Sequence, residues 1–89
     1  KLNLSKILKE RKWMLKQLKE VEGINKVFFS DTNFILIKVQ DPKGLYRYLI
    51  SKKIYVRDRT KQVSDSLRIT IGTRVENKLI IKTIKEYYG

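Results

Sequence analysis

The sequence contains no cysteine and no histidine, and it has only one proline, one tryptophan and four glycines in 89 residues. Without cysteine no disulfide can form, and without cysteine or histidine the usual zinc sites are excluded. No imidazole is available as a general base, so a self-contained hydrolase of the Ser-His-Asp or Cys-His kind is ruled out. We therefore predict no metal site and no such hydrolytic centre.

Long hydrophobic runs are also missing. No apolar stretch approaches the roughly 20 residues that a bilayer crossing needs, and the first residues lack the apolar region of a signal peptide. The hydrophobic fraction of 42% is that of a globular chain, and the length allows one domain at most. We expect a soluble, unprocessed, cytoplasmic domain that has no membrane partner.

Acidic residues are scarce, since 9 aspartates and glutamates stand against 21 lysines and arginines, for a net charge of +12. Such a balance suggests nucleic-acid binding. The basic residues are spread along the chain and not gathered into one stripe, however, and a missing domain could carry the balancing acidic residues. Nucleic-acid binding is therefore an alternative, as is a protein-interaction domain, and neither is our first interpretation.

The apolar periodicity predicts seven elements in the order α-β-β-α-β-β-α. Asp41 followed by Pro42 is a helix start signal, and Thr73 with Glu76 forms the sequence pattern of a capping box. A glycine at position 23 is expected to end the first helix in a left-handed conformation. Helices are predicted at 4–22, at 42–52 and from 74 onward, and strands at 26–30, 34–39, 54–56 and 67–71.

Short connections between these elements favour an α+β fold, with a small antiparallel or mixed sheet of about four strands and helices packed on one side. The strand at 34–39 is apolar except for Lys38, which predicts burial on both faces. At least one of Trp13 and Met14 should lie in the core. For the last helix the buried side is predicted to be Val75, Leu79, Ile80 and Ile84.

Two arginines fall on one face of the predicted strands. Because side chains alternate along a strand, Arg57 and Arg68 project from the face opposite the apolar residues of the same strands. If the strands pair, two guanidinium groups could lie side by side, an arrangement suited to binding an anion. The alternative is that both are ordinary solvated surface arginines.

Three segments carry a family resemblance in their order and spacing. They are SDTNFILI at 30–37, VRDRTKQ at 56–62 and LRITIGTRVEN at 67–77. Together they resemble the C-terminal end of the histidinol-phosphate aminotransferase family, pyridoxal 5'-phosphate (PLP) proteins of the aspartate-aminotransferase fold. The related threonine-phosphate decarboxylases share that fold and stay open as an alternative.

The resemblance implies that residues 1–89 are the C-terminal small domain of a longer chain, whose absent large domain binds PLP. The parent would convert histidinol phosphate and 2-oxoglutarate into imidazole acetol phosphate and glutamate, in histidine biosynthesis. It would be a homodimer with small-molecule substrates. The segment itself has no lysine in a Schiff-base motif, so it is expected to contain no catalytic residue and to be inactive alone.

The resemblance also assigns roles to the two arginines. Arg68 matches the family arginine that grips the substrate α-carboxylate, and Arg57 matches one that helps to hold the phosphate of histidinol phosphate. Asp58 is expected to stay ionised, which argues against a role as general acid. Surface or structural positions are expected for Asn33, Arg47, Arg59 and Arg74.

Overall fold

The computed structural model describes residues 3–89, apart from the side chains of residues 29–31. The predicted α+β order is confirmed. None of the helices in this described range combines the length and apolarity that a membrane crossing requires. The helices are α1 (Leu4–Lys19), α2 (Pro42–Ser51) and α3 (Arg74–Tyr88), and the strands are β1 (Ile24–Asp31), β2 (Phe34–Val39), β3 (Arg57–Asp58) and β4 (Ser66–Thr70).

The four described strands form one antiparallel sheet in the order β1-β2-β4-β3. Along β2, half-buried residues alternate with buried ones, so the prediction that both faces are buried is wrong. One face packs against the helices, and the other face stays partly open. Apolar residues of the sheet and helices form a single core: Met14, Leu18, Ile35, Ile37, Val39, Leu45, Leu49, Leu67, Ile69 and Ile84 are its most buried members. Burying one such side chain stabilises the fold by roughly 1.5–3 kcal/mol.

The first helix ends earlier than predicted, at Lys19 with Glu20 as its C-cap. Gly23 does not have a positive φ, so the predicted left-handed cap is wrong. Its role is steric: a Cβ at this position would lie 2.1 Å from the Cδ1 atom of Tyr88. Glycine is required here because the aromatic ring packs directly against the backbone.

The last helix is rotated relative to the prediction. Val75 and Leu79, assigned to the core, are 78% and 51% exposed. The predicted burial of Ile84 is confirmed, and Ile80 is partly buried against the core. The other buried positions of this helix are Asn77, Ile81 and Thr83. The capping box of Thr73 and Glu76 is confirmed. The helix turns Asn77 inward because buried hydrogen bonds satisfy its amide group, as described below.

The strand predicted at 54–56 pairs only at Arg57–Asp58. The backbone N–H of Ile54 is used elsewhere, since it donates to the carbonyl of Leu49 at the end of α2 over 2.9 Å. The alternation nevertheless persists through the unpaired lead-in: Ile54 and Val56 are buried, whereas Tyr55 is exposed.

The end of α3 is fastened to the corner between β2 and α2. Asp41 caps α2 as predicted, and it does so with a left-handed backbone (φ 53°). Its carboxylate accepts hydrogen bonds from the Gly44 backbone N–H (3.2 Å) and from the Tyr87 hydroxyl (2.5 Å). The Tyr88 hydroxyl donates to the carbonyl of Gln40 over 2.5 Å. The two tyrosines thereby fix the corner that precedes α2.

Candidate anion-binding site

Arg57 and Arg68 lie directly opposite each other on the neighbouring strands β3 and β4. In an antiparallel pair, residues in direct register project from the same face, with Cβ atoms about 4.5–5.5 Å apart. Their neighbours Val56, Leu67 and Ile69 are buried, so this shared face is the one opposite the helices. The structure therefore brings the two predicted residues together on the open face of the sheet.

Arg68 is held more firmly than a surface arginine. It occupies a central strand, where its direct partner on β2 is Leu36. Its side chain is half-buried, with the Nε atom inaccessible to solvent. The guanidinium carbon lies 4.0 Å from the centre of the Phe34 ring, a cation–π contact. The side chain of Arg68 is thus partly enclosed and in contact with an aromatic ring.

Arg57 has a different environment. It is exposed and lies on the two-residue edge strand. Among the side chains that the structure describes, no carboxylate forms an ion pair with Arg57. This guanidinium is accessible to an anion from solution.

The carboxylate of Asp58, which follows Arg57, is hydrogen-bonded to Thr60. The Thr60 backbone N–H and hydroxyl donate to its Oδ1 atom over 2.9 and 2.7 Å. These hydrogen bonds hold the pKa of Asp58 below its ordinary value of 3.8. The carboxylate is therefore ionised at neutral pH, as predicted, although the cause is the threonine and not the adjacent arginines.

A cleft of about 510 Å³ opens at the end of the sheet next to Phe34. It lies where the turn between β1 and β2 approaches the start of α3. The Ile71 backbone N–H donates to the carbonyl of Asn33 over 2.8 Å, which closes that end of the sheet. The cleft is lined by Lys6, Ile7, Asn33, Phe34, Thr70, Ile71, Gly72, Thr73 and Glu76. Arg68, stacked on Phe34, lies beside it.

A buried polar cluster that the sequence did not reveal connects α1 with the start of α3. The carboxylate of Glu10, buried on α1, accepts a hydrogen bond from the Asn77 amide (3.0 Å) and one from Arg74 Nε (2.9 Å). The Asn77 amide also exchanges hydrogen bonds with the backbone N–H and carbonyl of Gly72 (2.9 and 3.0 Å). The guanidinium of Arg74 lies 4.6 Å from the Trp13 ring centre. The cluster therefore fixes the turn that follows β4.

The remaining arginines have structural or surface positions. Arg74 is in the first turn of α3 as predicted, where its guanidinium forms the ion pair with Glu10. Arg59 lies in the loop after β3, and Arg47 is exposed on α2. No cluster of acidic side chains that could hold a metal ion occurs among the described residues.

The chain is similar in sequence to histidinol-phosphate aminotransferases. No protein-family model matches the chain. The histidinol-phosphate aminotransferase of Buchnera aphidicola subsp. Cinara cedri is 42% identical over 89 residues, which cover 98% of this chain and 25% of that protein. The chain thus spans about a quarter of the length of the curated relatives that it matches.

The fold is also shared with solved structures. The histidinol-phosphate aminotransferase from Clostridium acetobutylicum superposes with a TM-score of 0.83 at 24% identity, over 92% of this chain and 26% of that one. The L-threonine-O-3-phosphate decarboxylase from Porphyromonas gingivalis gives 0.84 at 22% identity, over 97% and 28%. At these identities the two structures establish the fold alone. By sequence the chain is similar to histidinol-phosphate aminotransferases, of whose length it spans about a quarter, and it shares their fold.

Proposed function

We propose that this chain is the C-terminal small domain of a histidinol-phosphate aminotransferase, in which Arg57 and Arg68 bind the anionic groups of the substrates. The observation that carries the proposal is the direct register of the two arginines on the open face of the sheet. The sequence likeness to curated aminotransferases supports it. The domain recognises the substrate, and the chemistry takes place in the rest of the parent protein.

The parent enzyme would transfer the amino group between L-histidinol phosphate and 2-oxoglutarate, with imidazole acetol phosphate and L-glutamate as the other pair. PLP supplies the electron sink for such chemistry when bound. The described residues of this chain do not form a PLP site, because their lysines are all exposed or half-exposed and a Schiff-base lysine needs a desolvated pocket. We assign PLP to a large domain outside this chain.

Arg68 is proposed to hold the substrate carboxylate. A guanidinium presents two parallel N–H groups that match the two oxygens of a carboxylate, and this geometry orients the substrate as well as binding it. Lysine would be a poor replacement, because an ammonium is a point charge without a preferred plane. Arg57, which is exposed beside it, is proposed to hold the phosphate of histidinol phosphate.

Closure of the domain over the substrate would carry this face of the sheet to the reacting atoms and exclude water from them. The low pKa of Asp58 argues against a role for its carboxyl group as a general acid. The domain is therefore proposed to be inactive alone. We also propose that the parent is a cytoplasmic homodimer.

A threonine-phosphate decarboxylase is the second candidate, because a solved enzyme of that name shares the fold with a TM-score of 0.84. The curated relatives found by sequence carry the aminotransferase name, which favours the transaminase. The two candidates predict different reactions of the same full-length protein.

The test is complementation of a histidine auxotroph by the full-length gene that carries this segment. We expect growth with the wild-type gene and with Arg47→Ala, which changes an exposed arginine of α2. Growth should fail with Arg68→Ala. Absence of growth with the wild-type gene, together with carbon dioxide release from threonine phosphate, would show that the decarboxylase is correct.

Nucleic-acid binding is tested separately with the 89-residue chain. Binding through phosphate contacts would weaken steeply as salt rises. We expect no complex with duplex or single-stranded DNA at physiological salt. A complex that Arg57→Ala and Arg68→Ala weaken would favour the nucleic-acid alternative over the substrate site.

A further inference from the structure

We propose that Phe34 is a positioning residue for Arg68: its ring restrains the direction of the guanidinium that is proposed to meet the substrate carboxylate. The inference rests on the proposed function of Arg68 and adds a second residue to it. It is drawn from the placement of Phe34 on β2 and from its contact with Arg68.

The strand register shows that the contact is directional. Leu36, and not Phe34, is the direct partner of Arg68 on β2, whereas Phe34 is opposite Thr70. Phe34 is therefore a diagonal neighbour, and such neighbours are typically about 7–8 Å apart, with somewhat less between their Cβ atoms. The guanidinium carbon nevertheless lies 4.0 Å from the ring centre. The side chains of Arg68 and Phe34 thus converge along their strands, and Phe34 and Thr70 also line the cleft.

Stacking on the ring restrains the guanidinium without using its donors. All N–H groups of arginine lie in the plane of the guanidinium, while the ring is attracted to its face. Free arginine has about 2 kcal/mol of rotamer entropy, part of which is lost when an anion is bound. A side chain already fixed in plane loses less on binding, which is the general benefit of preorganisation.

Phe34 is well placed to serve as a fixed platform. It is half-buried on a central strand that pairs on both sides, with β1 and with β4. The adjacent Asn33 carbonyl is held by the Ile71 N–H over 2.8 Å, which anchors the strand end. Arg57, by contrast, is exposed on an edge strand of two residues. We therefore infer that Arg68 presents a fixed guanidinium to the carboxylate, whereas Arg57 presents an adaptable one to the phosphate.

The kinetic test uses the full-length protein and compares Phe34→Leu with Phe34→Tyr. Leucine keeps the apolar contact but removes the aromatic face, so Arg68 would lose more rotamer entropy on binding and KM for glutamate should rise about five- to tenfold. KM for histidinol phosphate should change by less than about twofold, because its phosphate is assigned to Arg57. Tyrosine keeps the ring and should restore KM for glutamate to within about twofold of wild type.

Phe28→Leu is the matched control. Phe28 lies on β1 and is the partner of Leu36, and it contacts the Lys26 ammonium at 5.1 Å. The substitution removes an aromatic ring of the same type from a neighbouring strand of the same sheet. We expect it to leave KM for glutamate unchanged.

A spectroscopic test of the 89-residue chain does not depend on activity. In the wild type, the side-chain NMR signals of Arg68 should show the upfield shift of nuclei above an aromatic ring. The shift should vanish in Phe34→Leu and persist in Phe28→Leu. Unshifted Arg68 signals in the wild type would overturn the stacking even if Phe34→Leu failed to fold.

The outcomes separate the inference from the function on which it rests. If Arg68→Ala leaves KM for glutamate unchanged, the proposed role of Arg68 is wrong. If Arg68→Ala raises KM for glutamate strongly but Phe34→Leu behaves like Phe28→Leu, only the positioning role of Phe34 is wrong. Equal increases of both KM values in Phe34→Leu would also contradict it, because they would indicate a general structural defect.

Discussion

The side-chain amide of Asn77 donates a hydrogen bond of 3.0 Å to the buried carboxylate of Glu10, which lies 67 positions earlier in the chain. The same amide holds the turn at Gly72 through both of its polar atoms. One asparagine therefore joins α1, the end of β4 and the start of α3. Since β4 carries Arg68, the orientation of α1 and the placement of the candidate site depend on the same few hydrogen bonds.

We predict that Asn77→Ala strongly destabilises the chain. The change leaves the Glu10 carboxylate and the Gly72 backbone groups without these partners in a buried setting, which should lower the free energy of unfolding by about 2–4 kcal/mol. Urea denaturation of the 89-residue chain measures it. Asn25→Ala, at an exposed position of β1, is the control and should change stability by less than about 0.5 kcal/mol. A loss below about 1 kcal/mol for Asn77→Ala would contradict the bridging role.

The Glu10 carboxylate should make stability depend on pH. Burial raises its pKa, but the hydrogen bonds from Asn77 and Arg74 and the charge of Arg74 outweigh burial and leave the pKa below 4.5. A carboxyl group with a lowered folded pKa stabilises the fold above its unfolded pKa, and this contribution is lost as the pH falls through the folded value. Thermal unfolding at about pH 7 and about pH 3 should therefore show a smaller acid-induced loss for Glu10→Gln than for wild type. The exposed Glu22→Gln should keep the wild-type loss.

Tyr87→Phe should raise the pKa of Asp41. The Tyr87 hydroxyl is the main cause of its low value, followed by the Gly44 backbone N–H, and together they hold the pKa of Asp41 below 3.8. An NMR titration of the Asp41 carboxyl reports the change directly. Tyr88→Phe removes the neighbouring hydroxyl, which donates to the Gln40 carbonyl, and should leave the pKa of Asp41 unchanged. Equal titrations in wild type and Tyr87→Phe would show that the short hydrogen bond is absent in solution.

Lysine should replace arginine far better at position 57 than at position 68. Arg57 is exposed and is proposed to act mainly through its charge, so Arg57→Lys should raise KM for histidinol phosphate by less than about fivefold. Arg68→Lys loses the paired hydrogen bonds and the stacked plane, and should raise KM for glutamate about 10- to 100-fold. Steady-state kinetics of the full-length protein test both. Equal increases in KM for the two lysine variants would argue against different roles for Arg57 and Arg68.

The sequence predicts well where local pattern and fold agree. The strand Phe34–Val39, the Asp41 cap and the capping box of Thr73 and Glu76 are found as predicted, because each depends on residues close together in the chain. The shared face of Arg57 and Arg68 follows from strand alternation once the two strands pair. These features needed no knowledge of distant contacts.

Prediction from the sequence fails where a contact with a residue far away in the chain determines which side chains are buried. Counting apolar residues placed Val75 and Leu79 in the core, but α3 is turned so that Asn77 reaches Glu10 on α1. Gly23 is explained by the ring of Tyr88, which lies at the other end of the chain. Phe34 could be identified as a strand residue, but its contact with Arg68 depends on a register that the sequence does not specify.

The pairing of Arg57 with Arg68 also affects how firmly the edge strand β3 is held to the sheet. Like charges in direct register across two strands repel each other. The ladder that joins β3 to β4 is short, with two residue pairs and one further hydrogen bond from the Arg59 N–H to the Ser66 carbonyl. An anion between the two guanidinium groups would relieve that repulsion and so tie the edge strand down. A bound anion would then be a structural element of the domain as well as its ligand, and the edge strand would be held most firmly while that anion is bound.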